Sequence, residues 1–437
     1  MKKIIIAGAG HGGLAAAAKL RQNGFDVTVC EKKKKEELGH DWEDRFTFEL
    51  LSKVINKNES EFPKNCFRFR GDCAFVSPAK RKKIIIRYNS ETRQKIMWRK
   101  PLINMLIENC EKAGVKFEYQ TIIISPIIDG NRVVGINTDK GAFFGDLIVD
   151  ASGIFSPVRS KLSEQMNIEK MPKHGDCFYA WRGYFNKLQN RDEPDVPFEV
   201  YMCHEGEQGL SWHCTNTDSV DVLIGRTDKL TEEKVKKEVS IFKEEHPWQG
   251  DEILHGGRYG VIPVRRPLTL MVADGYAAVG DSAFMTTPMN GMGIDLSLSA
   301  GDLLAETVIK NKGDSSAKKL WEYNRAFHIL YGGETAKNEG LKNAILSLPG
   351  EGVDFLFESE VIQASDLAGA GKNTSIASLL GKFVRGMKKP KYFFTIIRGI
   401  INGSKASKLY KKPPKKYDIN RIKKWSDRIS ALDVTAE

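Results

Sequence analysis

Residues 3–23 read KIIIAGAGHGGLAAAAKLRQN. A β-branched run is followed by a glycine-rich turn and by an alanine-rich stretch, which together predict a strand, a tight turn and a helix. Gly24 follows as the residue that ends this helix, and residues 26–30 alternate as a second strand. The order of strand, helix and strand predicts the beginning of a parallel βαβ unit, and therefore an α/β fold.

The glycines of this turn fit the pattern G-x-G-x-x-G at Gly8, Gly10 and Gly13, with Gly12 as a fourth glycine. The first permits the tight turn, the second lets the backbone approach a pyrophosphate, and the third allows close packing of helix on strand. The helix N-terminus offers N–H groups and the positive end of its dipole to an anion. Glu31 ends the second strand 18 residues after Gly13, where an acid accepts hydrogen bonds from an adenosine ribose. We therefore predict a dinucleotide site at these five residues.

Two further motifs follow along the chain. Residues 146–153 read DLIVDASG, a buried strand that delivers Asp150 to a turn. Residues 275–283 read GYAAVGDSA, and residues 288–295 read PMNGMGID before a predicted helix. In the last motif we expect Asp281 to accept hydrogen bonds from a polyol. Gly291 and Gly293 would present backbone N–H groups, at the start of the helix at Ile294, to negative charge at the N1/O2 edge of a flavin.

In this order and at these separations, the three motifs resemble the FAD-dependent flavoproteins that share the p-hydroxybenzoate hydroxylase fold. The resemblance covers residues 1 to about 310. Three details look most like the geranylgeranyl reductase group: residues 260–264 (GVIPV), residues 274–275 ahead of 280–281, and residues 209–212 (GLSW). The resemblance implies FAD as the cofactor. It also implies that Arg99 contacts the phosphate or ribityl group of FAD and that Ile123 packs near the adenine.

The expected architecture has three parts. A Rossmann-like FAD-binding domain of the glutathione reductase and p-hydroxybenzoate hydroxylase type is discontinuous, over residues 1–65, 95–170 and 255–310. A β-rich substrate domain takes residues 66–94 and 171–254, where short strands are separated by turns. Residues 311–437 form a helical C-terminal region.

Four aromatic residues are candidate substrate neighbours. Trp42 lies in a loop after the second strand that the resemblance brings close to the flavin, and this loop lacks the cysteine that prenyl reductases often carry there. Tyr201 and Trp212 belong to the aromatic strands of the β-rich insertion, where ordinary sheet core is the alternative interpretation. Phe284 stands where aromatic hydroxylases of this fold often have histidine. No catalytic residue is identified from the sequence.

The resemblance and the motifs predict an FAD-dependent oxidoreductase that reduces carbon–carbon double bonds of an isoprenoid or other apolar substrate by hydride transfer from flavin N5. One alternative is a single-component flavin monooxygenase that hydroxylates an aromatic or polycyclic substrate. A second alternative is a non-catalytic prenyl-binding escort protein on the same fold. The sequence has no second nucleotide fingerprint after a strand, so an external reductant, NAD(P)H or a ferredoxin-like protein, is expected.

The formal net charge of +11 in 437 residues is concentrated at one end of the chain. Residues 381–437 carry 16 basic and 4 acidic residues, and the rest of the chain is close to neutral. Basic and apolar residues alternate in this segment, which favours an anionic membrane surface over nucleic acid. The alternative is a solvated tail whose apolar side packs on the core.

Seven scattered cysteines without a C-x-x-C pair predict reduced thiols and no metal site. No apolar run is long enough to predict a membrane-spanning helix. We therefore expect a cytoplasmic protein, with peripheral attachment to the inner face of the membrane as the further expectation.

Overall fold

The computed structural model describes residues 1–62, 67–89, 95–189, 194–367 and 376–433. Six cysteines lie in these ranges as buried free thiols, and Cys66 lies outside them. The strands are β1 (Lys3–Ala7), β2 (Asp26–Glu31), β3 (Glu43–Arg45), β4 (Phe67–Phe69), β5 (Cys73–Val76), β6 (Lys83–Ile86), β7 (Lys95–Trp98), β8 (Lys116–Tyr119), β9 (Ile123–Asp129), β10 (Arg132–Thr138), β11 (Gly141–Phe144), β12 (Leu147–Asp150), β13 (Cys177–Lys187), β14 (Phe198–Met202), β15 (Gly209–Thr215), β16 (Ser219–Arg226), β17 (Gln249–Pro263), β18 (Val272–Ala273) and β19 (Tyr276–Ala278). The helices are α1 (His11–Gln22), α2 (Phe48–Ile55), α3 (Arg99–Ala113), α4 (Glu232–Glu245), α5 (Ile294–Lys310), α6 (Ala317–Phe327), α7 (Gly333–Leu346), α8 (Gly350–Glu358), α9 (Ala364–Leu367), α10 (Ile376–Gly386), α11 (Pro390–Tyr410) and α12 (Ile419–Ser430).

The first sheet has the strand order β18-β19-β12-β1-β2-β8. All neighbours are parallel except β18 and β19, and Ile5 of β1 pairs with Thr28 and Ile148 on either side. Strands β1 and β12 are buried almost throughout, as expected of parallel strands covered on both faces. The carboxyl ends of β1, β2, β12 and β19 meet at one edge, where doubly wound sheets bind their ligands. The predicted Rossmann-like α/β fold is confirmed.

Helices α1 and α5 lie side by side and run in the same direction. A Cβ atom on Gly12 would lie 2.6 Å from the carbonyl oxygen of Ser297, and a Cβ atom on Gly301 would overlap the carbonyl oxygen of Gly12. Farther along both helices, the same Cβ atom on Gly301 would lie 2.9 Å from the Cβ atom of Ala15. Glycines at the crossing therefore allow the two backbones to approach closely, with both N-termini at the strand edge.

The second large sheet has the order β17-β13-β16-β15-β14-β5-β6 and is antiparallel except for the pair β14–β5. One face packs under helix α4, through Phe242 of the helix and a group of aliphatic side chains that includes Val222. The other face presents Ala180, Tyr184 and Leu223 to Trp42. The short strands predicted in residues 171–254 are confirmed, and they give the sheet its alternating faces.

The domain boundaries predicted from the sequence remain predictions. Strand β17 extends from Gln249 to Pro263, so it passes through the predicted boundary between residues 254 and 255, and it belongs to the second sheet along its whole length. Two smaller three-stranded sheets have the orders β11-β10-β9, which packs beside β12 and β1 of the first sheet, and β3-β7-β4, which contacts Tyr184 of the second sheet.

The helices after α5 form a layer that is fixed by small residues. Helices α7 and α11 pack closely, since a Cβ atom on Gly340 would lie 2.6 Å from the carbonyl oxygen of Gly399, and one on Gly403 would lie 2.6 Å from that of Lys337. Helix α12 buries Ile422, Trp425 and Ile429 on the main core. In the described part of the chain, no helix is both long enough and apolar enough to cross a membrane.

Candidate functional site

The turn between β1 and α1 is shaped by the backbone of residue 151. Gly8 has a φ of +92°, and a Cβ atom on it would lie 2.7 Å from the carbonyl oxygen of Ala151. A Cβ atom on Gly10 would lie 2.8 Å from the same oxygen, and one on Gly13 would lie 2.8 Å from Cγ2 of Ile6. Only glycine fits this close approach of turn, helix and strand. The predicted roles of the first and third glycines agree with this geometry.

Helix α1 begins without acceptors for its first amide groups. In the described ranges, no carbonyl or side-chain oxygen accepts a hydrogen bond from the backbone N–H of Gly10, His11, Gly12 or Gly13. Unpaired N–H groups at a helix N-terminus, together with the helix dipole, stabilise an anion. The end of α1 is therefore prepared for a phosphate or carboxylate.

Glu31 is held at the same edge by backbone donors. Its carboxylate accepts hydrogen bonds from the N–H of Ala9, at 2.8 Å, and of Lys33, at 2.9 Å. The carbonyl oxygen of Glu31 in turn accepts a hydrogen bond from the N–H of Thr121 at 2.9 Å. Strand β9 starts two residues later at Ile123, so the structure brings Glu31 and Ile123 to one end of the site.

Asp281 lies at the opposite end of the edge, beside the start of α5. A Cβ atom on Gly293 would lie 3.7 Å from its Oδ1 atom. Among the described residues, no acceptor receives the N–H of Gly293 or Ile294, and no donor reaches the carboxylate of Asp281. An unpaired acceptor thus lies next to unpaired donors, which suits a ligand with both hydroxyl groups and negative charge.

Gly291 differs from its prediction. Its N–H donates to the carbonyl oxygen of Thr287 at 2.8 Å, so this amide is already used inside the turn. With a φ of +67° and Ile262 3.2 Å from its missing Cβ position, Gly291 instead lets the turn pass close to strand β17. The backbone N–H groups available to negative charge at this turn are therefore those of Gly293 and Ile294.

Burial makes the carboxyl group of Asp281 a weaker acid than an exposed aspartate. The pKa of its carboxyl is raised from 3.8 to about 6 by desolvation, against a smaller opposing effect of the Arg99 charge. Desolvation also lowers the pKa of Arg99 to about 10. Arg99 forms an ion pair with Asp44 and lies 5.5 Å above the ring of Trp42. The structure therefore brings Arg99, Asp281 and Trp42 into one region, although the guanidinium already has a carboxylate partner.

Two histidines lie in the same region: His40, a further candidate flavin or substrate neighbour from the loop of Trp42, and His11, which the sequence analysis did not assign. His40 stacks on Trp42 with ring centroids 5.2 Å apart, and its pKa is lowered to about 4 by burial and by the Arg99 charge. His11 stands between the glycines of the first turn, and burial, Arg99 and His40 lower its pKa to about 3. Its Nε2 atom and the indole Nε1 atom of Trp42 are buried without a hydrogen-bond partner among the described residues. The position of His11 inside the glycine pattern was the sequence feature from which its place in the site could have been predicted.

Aromatic side chains from the second sheet cover this region. Tyr184 packs against Trp98 with ring centroids 4.8 Å apart, and its hydroxyl accepts a hydrogen bond from the N–H of Glu43 at 2.8 Å. Trp212 belongs to the same cluster as Trp42. Gly260 of β17 makes room for Trp42, since a Cβ atom there would lie 2.7 Å from the indole ring. Of the four aromatic candidates, Trp42 and Trp212 are thus brought together.

Beneath this cluster lies a buried ion pair that the sequence analysis missed. Arg182 donates to both carboxylate oxygens of Asp221, at 2.8 and 2.6 Å, and to the carbonyl oxygen of Glu43 at 2.6 Å. The Asp221 carboxylate also accepts from the indole N–H of Trp212 at 3.2 Å. The pair therefore connects the sheet to the loop that carries Trp42.

Tyr201 and Phe284 are not part of this cluster. Tyr201 lies on the opposite face of the second sheet, under α4, where its hydroxyl donates to Glu199 at 2.8 Å. Phe284 is fully buried between the guanidinium groups of Arg159 and Arg265, at 4.5 and 4.7 Å from its ring centroid. The structure does not bring either aromatic ring to Trp42, because strand alternation and a left-handed turn point them elsewhere.

Asp150 of the second motif serves the architecture of the edge. It is fully buried, and it accepts hydrogen bonds from the hydroxyls of Tyr276 at 2.9 Å and Ser282 at 3.0 Å. These bonds connect β12 to β19 and to the turn of Asp281. Asp150 of the second motif (residues 146–153) therefore positions the turn of the third motif (residues 275–283).

Comparisons with known proteins agree with this geometry. The family model described as NAD(P)-binding Rossmann-like domain matches residues 6–44. A digeranylgeranylglycerophospholipid reductase of Sulfolobus acidocaldarius is 21% identical over 333 residues, which cover 72% of this chain and 73% of the relative. Another protein of that name, from Methanococcoides burtonii, is 25% identical over 374 residues, 81% of this chain and 86% of the relative. The predicted resemblance to the geranylgeranyl reductases is confirmed.

Solved structures share the fold at lower identity. A geranylgeranyl bacteriochlorophyll reductase-like protein from Thermoplasma acidophilum superposes with a TM-score of 0.70 at 18% identity, over 91% of this chain and 99% of that one. PqsL, a probable FAD-dependent monooxygenase from Pseudomonas aeruginosa, superposes with a TM-score of 0.54 at 19% identity, over 85% and 98%. The fold is that of FAD-dependent flavoproteins of the p-hydroxybenzoate hydroxylase type, and the prediction of an oxidoreductase is confirmed.

Proposed function

We propose that the protein is an FAD-dependent oxidoreductase that reduces carbon–carbon double bonds of an isoprenoid or comparable apolar lipid. The observation that carries the proposal is one strand edge at which the unpaired N-termini of α1 and α5 meet a dry aromatic sheet face. The similarity to proteins named digeranylgeranylglycerophospholipid reductase supports the substrate class.

The donors and acceptors at this edge fit FAD. The N–H groups of residues 10–13 suit the pyrophosphate, and Glu31 with Ile123 suits the ribose and the adenine. Asp281 would accept hydrogen bonds from the ribityl hydroxyls. The buried, unpartnered nitrogens of His11 and Trp42 would gain polar partners from such a ligand, which removes the cost of leaving them unsatisfied.

The chemistry that bound FAD would supply is the addition of hydride to an activated double bond. The residues of the chain orient and protect this step. The N–H groups of Gly293 and Ile294, with the positive end of α5, stabilise negative charge near the cofactor. The aromatic face with Trp98, Tyr184 and Trp212 excludes water from the apolar substrate. The reductant is external, NAD(P)H or a ferredoxin-like protein, because the sequence has no second dinucleotide fingerprint.

A second candidate is a flavin monooxygenase that hydroxylates an aromatic or polycyclic substrate. It is favoured by the superposition on PqsL. The two activities share the cofactor and differ in the product, which carries two added hydrogens in one case and an added oxygen in the other.

Replacing Asp281 with asparagine is expected to stabilise the FAD-free protein and to weaken FAD binding. Because the folded-state pKa is raised from 3.8 to about 6, the folded state binds the extra proton between these values, and stability falls as the pH rises through them. Above pH 6 the buried charge therefore costs about 3 kcal/mol, which Asp281→Asn recovers. Loss of a charged acceptor weakens FAD binding by about 10- to 100-fold.

Thermal melts at pH 4.5 and pH 8, without FAD, and a flavin fluorescence titration measure both effects. Asp228→Asn is the matched control, because Asp228 is a surface carboxylate with 70% of its side chain exposed. A variant that melts below the wild type at pH 8, or that binds FAD as tightly as the control, would contradict the assignment of Asp281.

A further inference from the structure

Helix α10 turns its apolar side towards solvent. Leu380, Phe383, Val384 and Met387 follow the i, i+3, i+4, i+7 spacing of one helix face, and they are 42–68% exposed. Lys382 faces inward instead, with 13% of its side chain exposed, and forms an ion pair with Asp366 at 2.5 Å. The usual orientation of an amphipathic surface helix is therefore reversed. We call these four residues the apolar stripe.

Helix α11 continues this surface. Phe394, Ile400 and Ile401 of this helix are 41–51% exposed, and the side chains of Lys391 and Arg398 are exposed as well. Its inner side is fixed, since Gly399 and Gly403 contact α7 and Phe393 and Ile396 are buried. The outer side is thus presented on a rigid helix.

Basic residues predominate around the stripe, although Asp366 pairs with Lys382 and Glu351 accepts a hydrogen bond from the hydroxyl of Tyr392. No acidic residue occurs between Asp366 and Asp418 in the sequence. Lys388, Lys391 and Arg398 have no ion-pair partner in the described part of the chain. Exposed apolar clusters rimmed by polar residues mark interaction sites. Here the rim is basic, so the partner carries negative charge around an apolar interior.

We propose that the apolar stripe and the outer side of α11 dock the protein on an anionic lipid bilayer. Amphipathic helices rich in Lys and Arg lie in the membrane interface with their apolar side chains among the acyl chains. A second copy of the same basic surface would be repelled, and nucleic acid would not bury the stripe. The helix is held on the protein by the Lys382–Asp366 ion pair and by an edge contact of Phe383 with Phe393, while Leu380, Val384 and Met387 remain exposed for lipid.

The docking surface is narrower than the basic tail predicted from the sequence. Helix α12 belongs to the same tail, but Trp425 packs in the core and donates its indole N–H to the carbonyl oxygen of Leu409 at 2.9 Å. Deletion of residues 381–437 would therefore remove part of the core. Point substitutions in α10 and α11 are the appropriate test.

The inner side of α11 is linked to the candidate site through the core. Phe393 and Ile396 of α11 belong to one buried cluster with Met289, which lies two residues before Gly291 in the turn that leads to α5. The link to catalysis rests on the proposed function, because a bilayer is the source of an isoprenoid lipid. The docking itself is tested without substrate or cofactor.

Flotation of the full-length protein with vesicles tests the proposal. We expect binding to vesicles of equal parts phosphatidylglycerol and phosphatidylcholine, and much weaker binding to phosphatidylcholine alone. The variant F383S/V384S/M387S should lose binding about 100-fold. The variant K388Q/K391Q/R398Q should also lose about 100-fold, at about fivefold per basic residue, and salt should weaken the wild type in the same way.

Matched controls carry the same numbers of changes on other faces. F144S/M171S/L188S replaces three apolar residues that are 39–56% exposed, and K112Q/K312Q/K318Q replaces three exposed lysines. Both should bind like the wild type. The proposal is overturned if the stripe variant binds like its control. It is also overturned if light scattering shows a dimer that the stripe variant dissociates while vesicles remain unbound. Vesicle binding by a protein that takes up no FAD would contradict the proposed function and leave the docking surface standing.

Discussion

Replacing Gly12 with alanine is expected to weaken FAD binding about 100-fold or more. The added methyl group would lie 2.6 Å from the carbonyl oxygen of Ser297 and 3.3 Å from Cβ of Val279, in a crossing where both neighbours are fixed. Helices α1 and α5 must then move apart, and both N-termini leave the positions at which they face one ligand. A flavin fluorescence titration measures the loss, and the far-ultraviolet circular dichroism spectrum shows whether the variant is folded.

Gly350→Ala is the control for this substitution. Gly350 also lies at the start of a helix, and the nearest atom to an added Cβ is 3.6 Å away on Pro78, which is ordinary contact. We expect this variant to bind FAD like the wild type. Unchanged FAD affinity in a folded Gly12→Ala variant would mean that the close approach of α1 and α5 does not form the cofactor site.

Replacing Asp221 with alanine is expected to lower the free energy of unfolding by about 3–5 kcal/mol. Asp221 and Arg182 have 0% and 3% of their side chains exposed, so the substitution leaves a guanidinium buried without its carboxylate. The same change removes the carboxylate that orients Arg182, whose guanidinium also donates to the carbonyl oxygen of Glu43 in the loop of Trp42. Urea denaturation measures the stability.

Two comparisons separate the buried charge from its packing. Arg182→Met combined with Asp221→Leu removes both charges and should recover most of the lost stability. Glu232→Gln removes one partner of an exposed pair with Lys236 and should change stability by less than about 0.5 kcal/mol. An Asp221→Ala variant as stable as Glu232→Gln would show that the buried pair does not hold this part of the fold.

Local patterns predicted the strand edge well. Gly8 follows β1 directly and Asp281 comes three residues after β19, and in a parallel sheet the ends of such strands meet by topology. The helix boundary at Ile294 was likewise readable from the glycines before it. These features are determined by residues that are adjacent in the sequence, so one sequence is enough to predict them.

Features that depend on the register of neighbouring strands or on turn geometry could not be predicted in this way. Tyr201 and Trp212 look alike in sequence, but the register of β14 with β15 places Tyr201 opposite Ser211 and therefore on the face away from Trp212. The N–H of Gly291 is used by a carbonyl four residues earlier, which only the turn geometry reveals. The pair Arg182–Asp221 joins residues on neighbouring strands whose register no motif records.

The reversed orientation of α10 is a further case. Its apolar spacing predicts a buried helix face, and only the position of Asp366 opposite Lys382 turns that face outward. The basic composition of the tail indicated a surface, whereas the structure divides the tail into an outward part and a part that belongs to the core.

The most direct test of the proposed function is the mass of the product in a single turnover. The FAD-loaded protein is reduced anaerobically, mixed with a geranylgeranyl lipid in mixed vesicles, and divided into one portion kept anaerobic and one exposed to air. In the anaerobic portion, we predict a lipid that has gained two hydrogen atoms for each double bond reduced. In neither portion do we expect a lipid with an added oxygen atom. An unchanged lipid in the anaerobic portion, or a product with an added oxygen atom after exposure to air, would contradict the assignment as a double-bond reductase.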